Sequence, residues 1–336
     1  MKTNFLTGFL AVCVISLLTC CKSSQNDKQS IIFCSYAENP DQLHYLVPMV
    51  ESIRTFAGKY KDVTVWVYIP PALREKEAEK VKELLSMGIV VRDINIPDDA
   101  SWFFLSGKVF AAARAEAESD GKADILVFLN YDTVFLNEPD EFNLPPDKKF
   151  GYRPVMHKNV GLLFSEPLDS FWTHIYKTMA VDESILFPMV TPADGDTIRP
   201  YFNAGLLVVR PEEGILRKWV EYYVKLYQDQ VLRKMCEQDI RKRIFLHQTA
   251  LTGAILKHLR RDEIIEFSNK INYPIFFREQ FGAKKDFHDI KGVATFRHES
   301  YFNNPDSGWE KKITGPREKI DWIKEHLIKR GTAPIF

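Results

Sequence analysis

The sequence predicts an α/β protein built on one mixed, mostly parallel sheet flanked by helices, in a single domain. Three observations carry this. Apolar strand-like runs alternate with helix-like segments from Ile31 to Leu129, the pattern of a parallel sheet covered by crossover helices. The chain has 336 residues, of which 45% are hydrophobic, enough for one large core. No internal repeat or low-complexity linker divides it.

The elements follow in order. Ile31 to Tyr36 reads as an apolar strand, closed by the loop Ala37-Glu38-Asn39-Pro40. Gln42 to Ala57 has helical spacing at Leu46, Val47, Val50, Ile53 and Phe56. Val63 to Ile69 is rich in β-branched and aromatic residues and ends at Pro70-Pro71. Leu73 to Met87 is an amphipathic helix stopped by Gly88. Ile89 to Val91 is a short strand, and Gly107 to Ser119 a helix that feeds the strand at 124–129. In the second half, strands are expected at 150–155, 160–165, 202–209, 264–267 and 293–297. Helices are expected at 170–180, 216–226, 248–259 and 320–329.

The N-terminus reads as a targeting segment. Lys2 precedes an apolar stretch, Phe5 to Leu18, that is too short for a comfortable membrane span. It runs into Leu17-Leu18-Thr19-Cys20-Cys21 and then turns polar. This resembles a bacterial lipoprotein signal, with Cys21 fitting the lipidated position slightly better than Cys20. Residues 1–21 would then be signal and lipidation site, 22–30 a polar tether, and 31–336 the folded domain on a lipid anchor in the cell envelope. An uncleaved anchor or an ordinary secretory signal are the alternatives, and each also exports the body.

Cys34 and Cys236 are the two cysteines of the body. A disulfide between them suits an exported protein, and a buried thiol suits Cys34 in its apolar strand. No zinc-type cysteine spacing occurs. Acidic and basic residues balance at 45 each, which gives no electrostatic footprint for nucleic acid. No Gly-x-Gly-x-x-Gly follows the first strand and no Gly-Lys-Ser/Thr loop is present, which argues against dinucleotide and P-loop enzymes.

The most informative stretch is Ala123 to Pro139. An apolar strand ends in Asn130-Tyr131-Asp132, and a second apolar run starts at once. Residues one apart on an extended chain face the same way. Asn130 and Asp132 therefore sit side by side where open α/β sheets bind ligands, a pattern suited to a metal ion and a diphosphate.

Four patches together resemble the GT-A nucleotide-diphospho-sugar transferases, most closely glycosyltransferase family 8. They are Phe33-Cys34-Ser35-Tyr36-Ala37, Leu126 to Leu136, Tyr201 to Arg210 with its Phe202-Asn203-Ala204-Gly205, and Val293 to His298. The resemblance implies a GT-A fold and transfer of a hexose from a nucleotide-sugar to a glycan or lipid acceptor. It places Phe33 and Ser35 near the nucleotide base, Lys108 near the nucleotide, and Asn203, Ala204 and Gly205 at the donor sugar. It places Asn130, Asp132 and His298 around Mn²⁺ or Mg²⁺, ions that take oxygen ligands and, for Mn²⁺, imidazole. Such an ion would stabilise charge on the departing nucleotide.

Two departures stand out. The first Asp of the family's Asp-x-Asp is Asn130, and the family's Asp-Gln pair is His247-Gln248. Both point to weak metal binding, an altered mechanism or no transfer. Gln248 and His247 are the catalytic candidates, with His247 equally readable as a helix residue without a chemical role. Asp194-Gly195-Asp196 reads as a solvated turn or as carboxylates near the sugar, and Tyr301 to Asn304 with Trp309 as a lip over it. Export also removes the body from the cytoplasm, where nucleotide-sugars are made. The alternative function is therefore a non-catalytic envelope lipoprotein that binds glycans or partner proteins.

Overall fold

The computed structural model describes residues 29–328. The signal, Cys20, Cys21 and most of the expected tether lie outside the described residues. The tether's last two residues belong to the body: Gln29 donates to the Leu144 carbonyl, and the Ser30 amide and hydroxyl both donate to the Asp124 carboxylate.

A seven-stranded sheet forms the centre, in the order β10-β6-β9-β4-β1-β2-β3. Its strands are β1 (Ile31–Tyr36), β2 (Thr64–Ile69), β3 (Val90–Asp93), β4 (Ile125–Leu129), β6 (Phe150–Tyr152), β9 (Leu206–Val209) and β10 (Ile264–Glu266). β4, β1, β2 and β3 run parallel, whereas β9 is antiparallel to both β4 and β6. The apolar runs of β1, β4 and β9 have the sequence expected of strands covered on both faces.

Alternation on β1 sends its side chains to two cores. Cys34 and Tyr36 join the core beneath α4 (Ser106–Ser119), α6 (Ile215–Gln228) and α8 (Ile240–His258). Phe33 joins the opposite core, with Leu46 and Val50 of α1 (Pro40–Phe56) and Val81 and Leu84 of α3 (Ala78–Ser86). A second sheet of three strands, β11 (Tyr273–Pro274), β12 (Thr295–Arg297) and β5 (Thr133–Phe135), carries a third core. A two-stranded ribbon, β7 (Met189–Val190) and β8 (Thr197–Ile198), completes the strands.

Several expectations shift. The helix expected over 73–87 is two helices, α2 (Pro71–Lys76) and α3, broken at Glu77 with φ −110° and ψ 37°. Residues 160–165 form no strand, only an isolated bridge from Leu163 to Ile198. The strand expected over 202–209 begins at Leu206, because the Asn203 side chain accepts the Gly205 amide and holds that segment as a turn. A helix not read from the sequence, α7 (Gln230–Gln238), is capped by Asp229 and follows α5 (Ser170–Met179) and α6 in the chain. The helix expected at 248–259 starts eight residues earlier, at Ile240. Cys34 and Cys236 are both buried free thiols, so no disulfide joins them.

Candidate functional site

The site forms where the chain leaves one sheet for the other. β4 ends at Leu129, which faces Leu206 of β9, and the Asn130 amide then donates to the Gly205 carbonyl at 2.8 Å. Three residues later β5 pairs antiparallel with β12, setting Thr133 opposite Arg297. The short link 130–132 is thus clamped between the start of β9 and the end of β12. A cleft of about 250 Å³ opens over it.

Asp132 lies behind the cleft lining, 2% exposed, bonded to the lining residues Asn130, Arg297 and Glu299. Its Oδ1 accepts the Asn130 side-chain amide at 2.7 Å and Arg297 Nε at 3.0 Å. Its Oδ2 accepts Arg297 Nη2 at 3.3 Å and the Glu299 amide at 3.1 Å. Arg297 Nη2 also reaches Glu299 Oε1 at 2.8 Å. Burial pushes the Asp132 carboxyl up, but Arg297, His298 and Asn130 outweigh it and hold it well below the usual carboxylate range.

These contacts test the metal expectation. A carboxylate has about four lone-pair positions, and four donors already fill those of Asp132. Asn130 turns an N–H toward that carboxylate. His298 is fully buried, with neither ring nitrogen hydrogen-bonded, and its ring packs 4.6 Å from Tyr45 and 5.9 Å from Phe302. Among the described residues, no group of three or more His, Cys, Asp or Glu side chains is arranged to hold an ion. The sequence brings Asn130, Asp132 and His298 together, as the 3.4 Å bond from the His298 amide to the Asp132 carbonyl shows. As arranged, however, the three do not fit a divalent cation.

Lys108 enters from the first turn of α4 and is buried at the cleft wall. Burial, reinforced by Arg297, lowers its ammonium to about 8 against the opposing pull of Asp132, Glu299 and Glu38. His247 and Gln248 also line the cleft, from inside α8. His247 Nδ1 is 2.8 Å from the Ile244 carbonyl, while its Nε2 is buried without a partner. Burial, then Lys108, holds that ring well below the ordinary histidine value, so it is neutral. Gln248 Oε1 is likewise buried and unpartnered. Asn203 and Gly205 line the cleft, whereas Ala204 is fully buried in the core.

The expected base-binding residues require correction. Phe33 is fully buried and packs on Tyr60, Phe135 and Phe142 in the core below the sheet. Ser35, two residues on, shares that side of the strand and is also fully buried. Neither lines the cleft. Tyr36 instead bounds a pocket of only about 10 Å³ with Glu38 and Lys108. A Cβ on Gly107 would lie 2.0 Å from the Tyr36 hydroxyl, so only glycine admits the ring there. The proposed lip also moves: Tyr301, Phe302 and Trp309 are buried around Phe276, and the aromatic rim is Phe245, Phe277 and the half-exposed Phe281.

The sequence reading missed Arg297, Glu299 and His157. Asp194 of the Asp-Gly-Asp turn bonds His157 Nδ1 at 2.7 Å, and that ring stacks on Phe277 at 5.0 Å. His157 lines the cleft with Nε2 buried and unpartnered. Backbone strain marks the same place. Leu105, Asn159 and Glu299 line the cleft with φ of 61°, 50° and 45°, conformations that non-glycine residues adopt at some energetic cost and that cluster at functional sites.

The family model of the Rhodobacterales glycosyltransferase domain matches residues 37–258, more than half of the chain. The chain belongs to this family. The matched span of the Rhodobacterales glycosyltransferase domain holds Lys108, Asn130, Asp132, Asn203 and Gln248 but ends before Arg297 and His298. No curated protein matches the chain. Among solved structures, it is similar to the bifunctional glycosyltransferase WbbM, with TM-score 0.51, 12% identity and coverage of 88% of this chain and 51% of that one. It is similar to the galactosyltransferase LgtC in complex with donor and acceptor sugar analogues, with TM-score 0.47, 15% identity and coverage of 87% and 99%. A third is mouse xyloside xylosyltransferase 1, with TM-score 0.44, 12% identity and coverage of 80% and 97%. The mixed sheet with helices on both faces is the GT-A fold, as the sequence predicts.

Proposed function

We propose that this glycosyltransferase-family protein moves a hexose from a nucleotide-sugar to a glycan or lipid acceptor, and that a lipid on Cys21 anchors it at the bacterial cell envelope. One observation carries the transfer reading. Three buried polar atoms without partners, His157 Nε2, His247 Nε2 and Gln248 Oε1, belong to the walls of one cleft that also holds Lys108 and Arg297. Folded proteins rarely leave such atoms unsatisfied. Turned into the cleft, these side chains would meet the hydroxyls of a sugar, and the two cations suit the diphosphate joined to it. In the transfer, an acceptor hydroxyl oxygen bonds to the anomeric carbon. The anomeric carbon–phosphate oxygen bond breaks and its electron pair stays with the departing diphosphate. The acceptor's proton ends on that diphosphate or in water.

A second reading, a glycan-binding envelope lipoprotein without transfer activity, is favoured by the closed pocket beside Tyr36, where about 10 Å³ is open at the expected base position. Thermal unfolding of the full-length protein separates the two. Nucleotide-sugars at about 100 times their Kd should stabilise it by about 2.7 kcal/mol, since a ligand that binds only the folded state stabilises it. That gain should vanish in Asn203→Ala and Gln248→Ala. Stabilisation by oligosaccharides and by no nucleotide-sugar would favour the second reading.

A further inference from the structure

We propose that Arg297 and Lys108 hold the donor's diphosphate where related folds use a divalent cation, so that this protein binds it without metal. The inference rests on reading the cleft as the donor site and assigns the chemistry of its anionic end.

Charge is the first argument. An Asp-x-Asp centre sets one divalent ion against two carboxylates, for a sum of zero. Here, leaving aside the exposed Glu38, which also acts on Lys108, two single cations, Arg297 and Lys108, face two carboxylates, Asp132 and Glu299, and the sum is the same. An aspartate at position 130 would leave this cluster net negative and repel a diphosphate. Asn130 and Arg297 fit one another: a neutral amide at position 130 leaves the guanidinium to balance Asp132.

Geometry is the second. Arg297 reaches Asp132 through Nε and Nη2, and Nη1 lies beside Gly205. A Cβ at Gly205 would come within 2.4 Å of Nη1 and 2.8 Å of Asn203 Oδ1, so glycine makes the room the guanidinium occupies. Asp132 and Glu299 hold Nε and Nη2 and so fix the plane of the guanidinium, which leaves the Nη1 donors to meet a phosphate oxygen. Lys108 adds a second, compact charge at the same cleft wall. As the anomeric bond breaks, the pair left on the phosphate oxygen is stabilised by these N–H donors, in a site with little water to screen them.

Calorimetric titration of the full-length protein with UDP, GDP and ADP, in EDTA and then with Mn²⁺, tests this. One of them should bind, with Kd unchanged within about twofold between the two conditions. Arg297→Met should weaken it about tenfold or more, the change expected for losing one charge-assisted contact. Asp132→Asn/Arg297→Met removes one charge of each sign, guards against simple misfolding, and should show the same loss. Asn130→Asp/Arg297→Gln restores two adjacent carboxylates and should make binding depend on Mn²⁺. Wild-type binding only with Mn²⁺ would overturn the inference while leaving the transferase reading intact. So would an unchanged Kd in the folded Asp132→Asn/Arg297→Met protein. No binding of any nucleoside diphosphate in either condition would overturn both.

Discussion

Replacing Asp132 with alanine is expected to lower the unfolding free energy by about 3–5 kcal/mol, the range for breaking a buried ion pair from one side. Arg297 would lose two hydrogen bonds, and the Glu299 amide its acceptor. Glu299 alone would remain to balance a guanidinium whose side chain is 14% exposed. The penalty comes from the stranded charge more than from the lost attraction. Asp132→Ala/Arg297→Met should therefore recover much of the stability, because apolar replacement of a whole buried pair is often close to neutral. Urea midpoints for wild type, both single variants and the double variant form the cycle that checks this. The pH dependence has a definite sign. The folded-state value of Asp132 lies below its unfolded one. Its contribution is full above the unfolded value, about 3.9, and fades as pH falls through and below it. The gap between wild type and Asp132→Ala should close on acidification.

The second large effect lies away from the cleft. Glu116 of α4 caps α6 from 100 residues away: Oε1 accepts the Leu216 amide at 2.9 Å and Oε2 the Arg217 amide at 2.8 Å. Gly214, the residue before α6, has no side chain to do this. Glu116→Ala strands two amides at the positive end of a helix, and each unsatisfied buried group costs about 1–3 kcal/mol. A loss of about 3 kcal/mol is expected in urea unfolding at pH 5. Burial pushes this carboxyl up to about 7 despite the bonds it accepts. A folded-state value above the unfolded one means the fold holds this proton more tightly. Stability from Glu116 is thus full below about 4.3 and declines as pH rises to about 7, opposite to the trend at Asp132. The difference between wild type and Glu116→Ala should shrink from pH 5 to pH 8.

Local pattern made most of the fold legible. β1 spans the expected residues, and α1, α4 and β4 differ from expectation by a residue or two. The errors arose where tertiary contacts override local pattern. Residues 160–165 are apolar enough for a strand, yet Leu162 and Leu163 pack on a core without a pairing partner beyond one bridge. Leu73 to Met87 keeps helical spacing through a break that periodicity does not register. The site was legible where it is local: Asn130 and Asp132 do bond each other, and Asn203 and Gly205 do form one turn. Arg297 was hidden because an arginine ending a short strand reads as a solvated edge residue. Its partner lies 165 residues away. Its position just before His298, on the strand expected to complete the site, was the one available signal. His157 had none nearer than the Asp-Gly-Asp turn that holds it.

We propose that the cleft at the junction of β4, β9 and β12 receives a nucleotide-sugar. A crystal structure of the protein soaked with its best-binding nucleotide-sugar tests it most directly. Diphosphate density is expected within hydrogen-bonding reach of Arg297 and Lys108, with hexose hydroxyls on Asn203, Gln248 and His247. A nucleotide-sugar bound anywhere else, with Asp132 and Arg297 left undisturbed beneath an empty cleft, would contradict it.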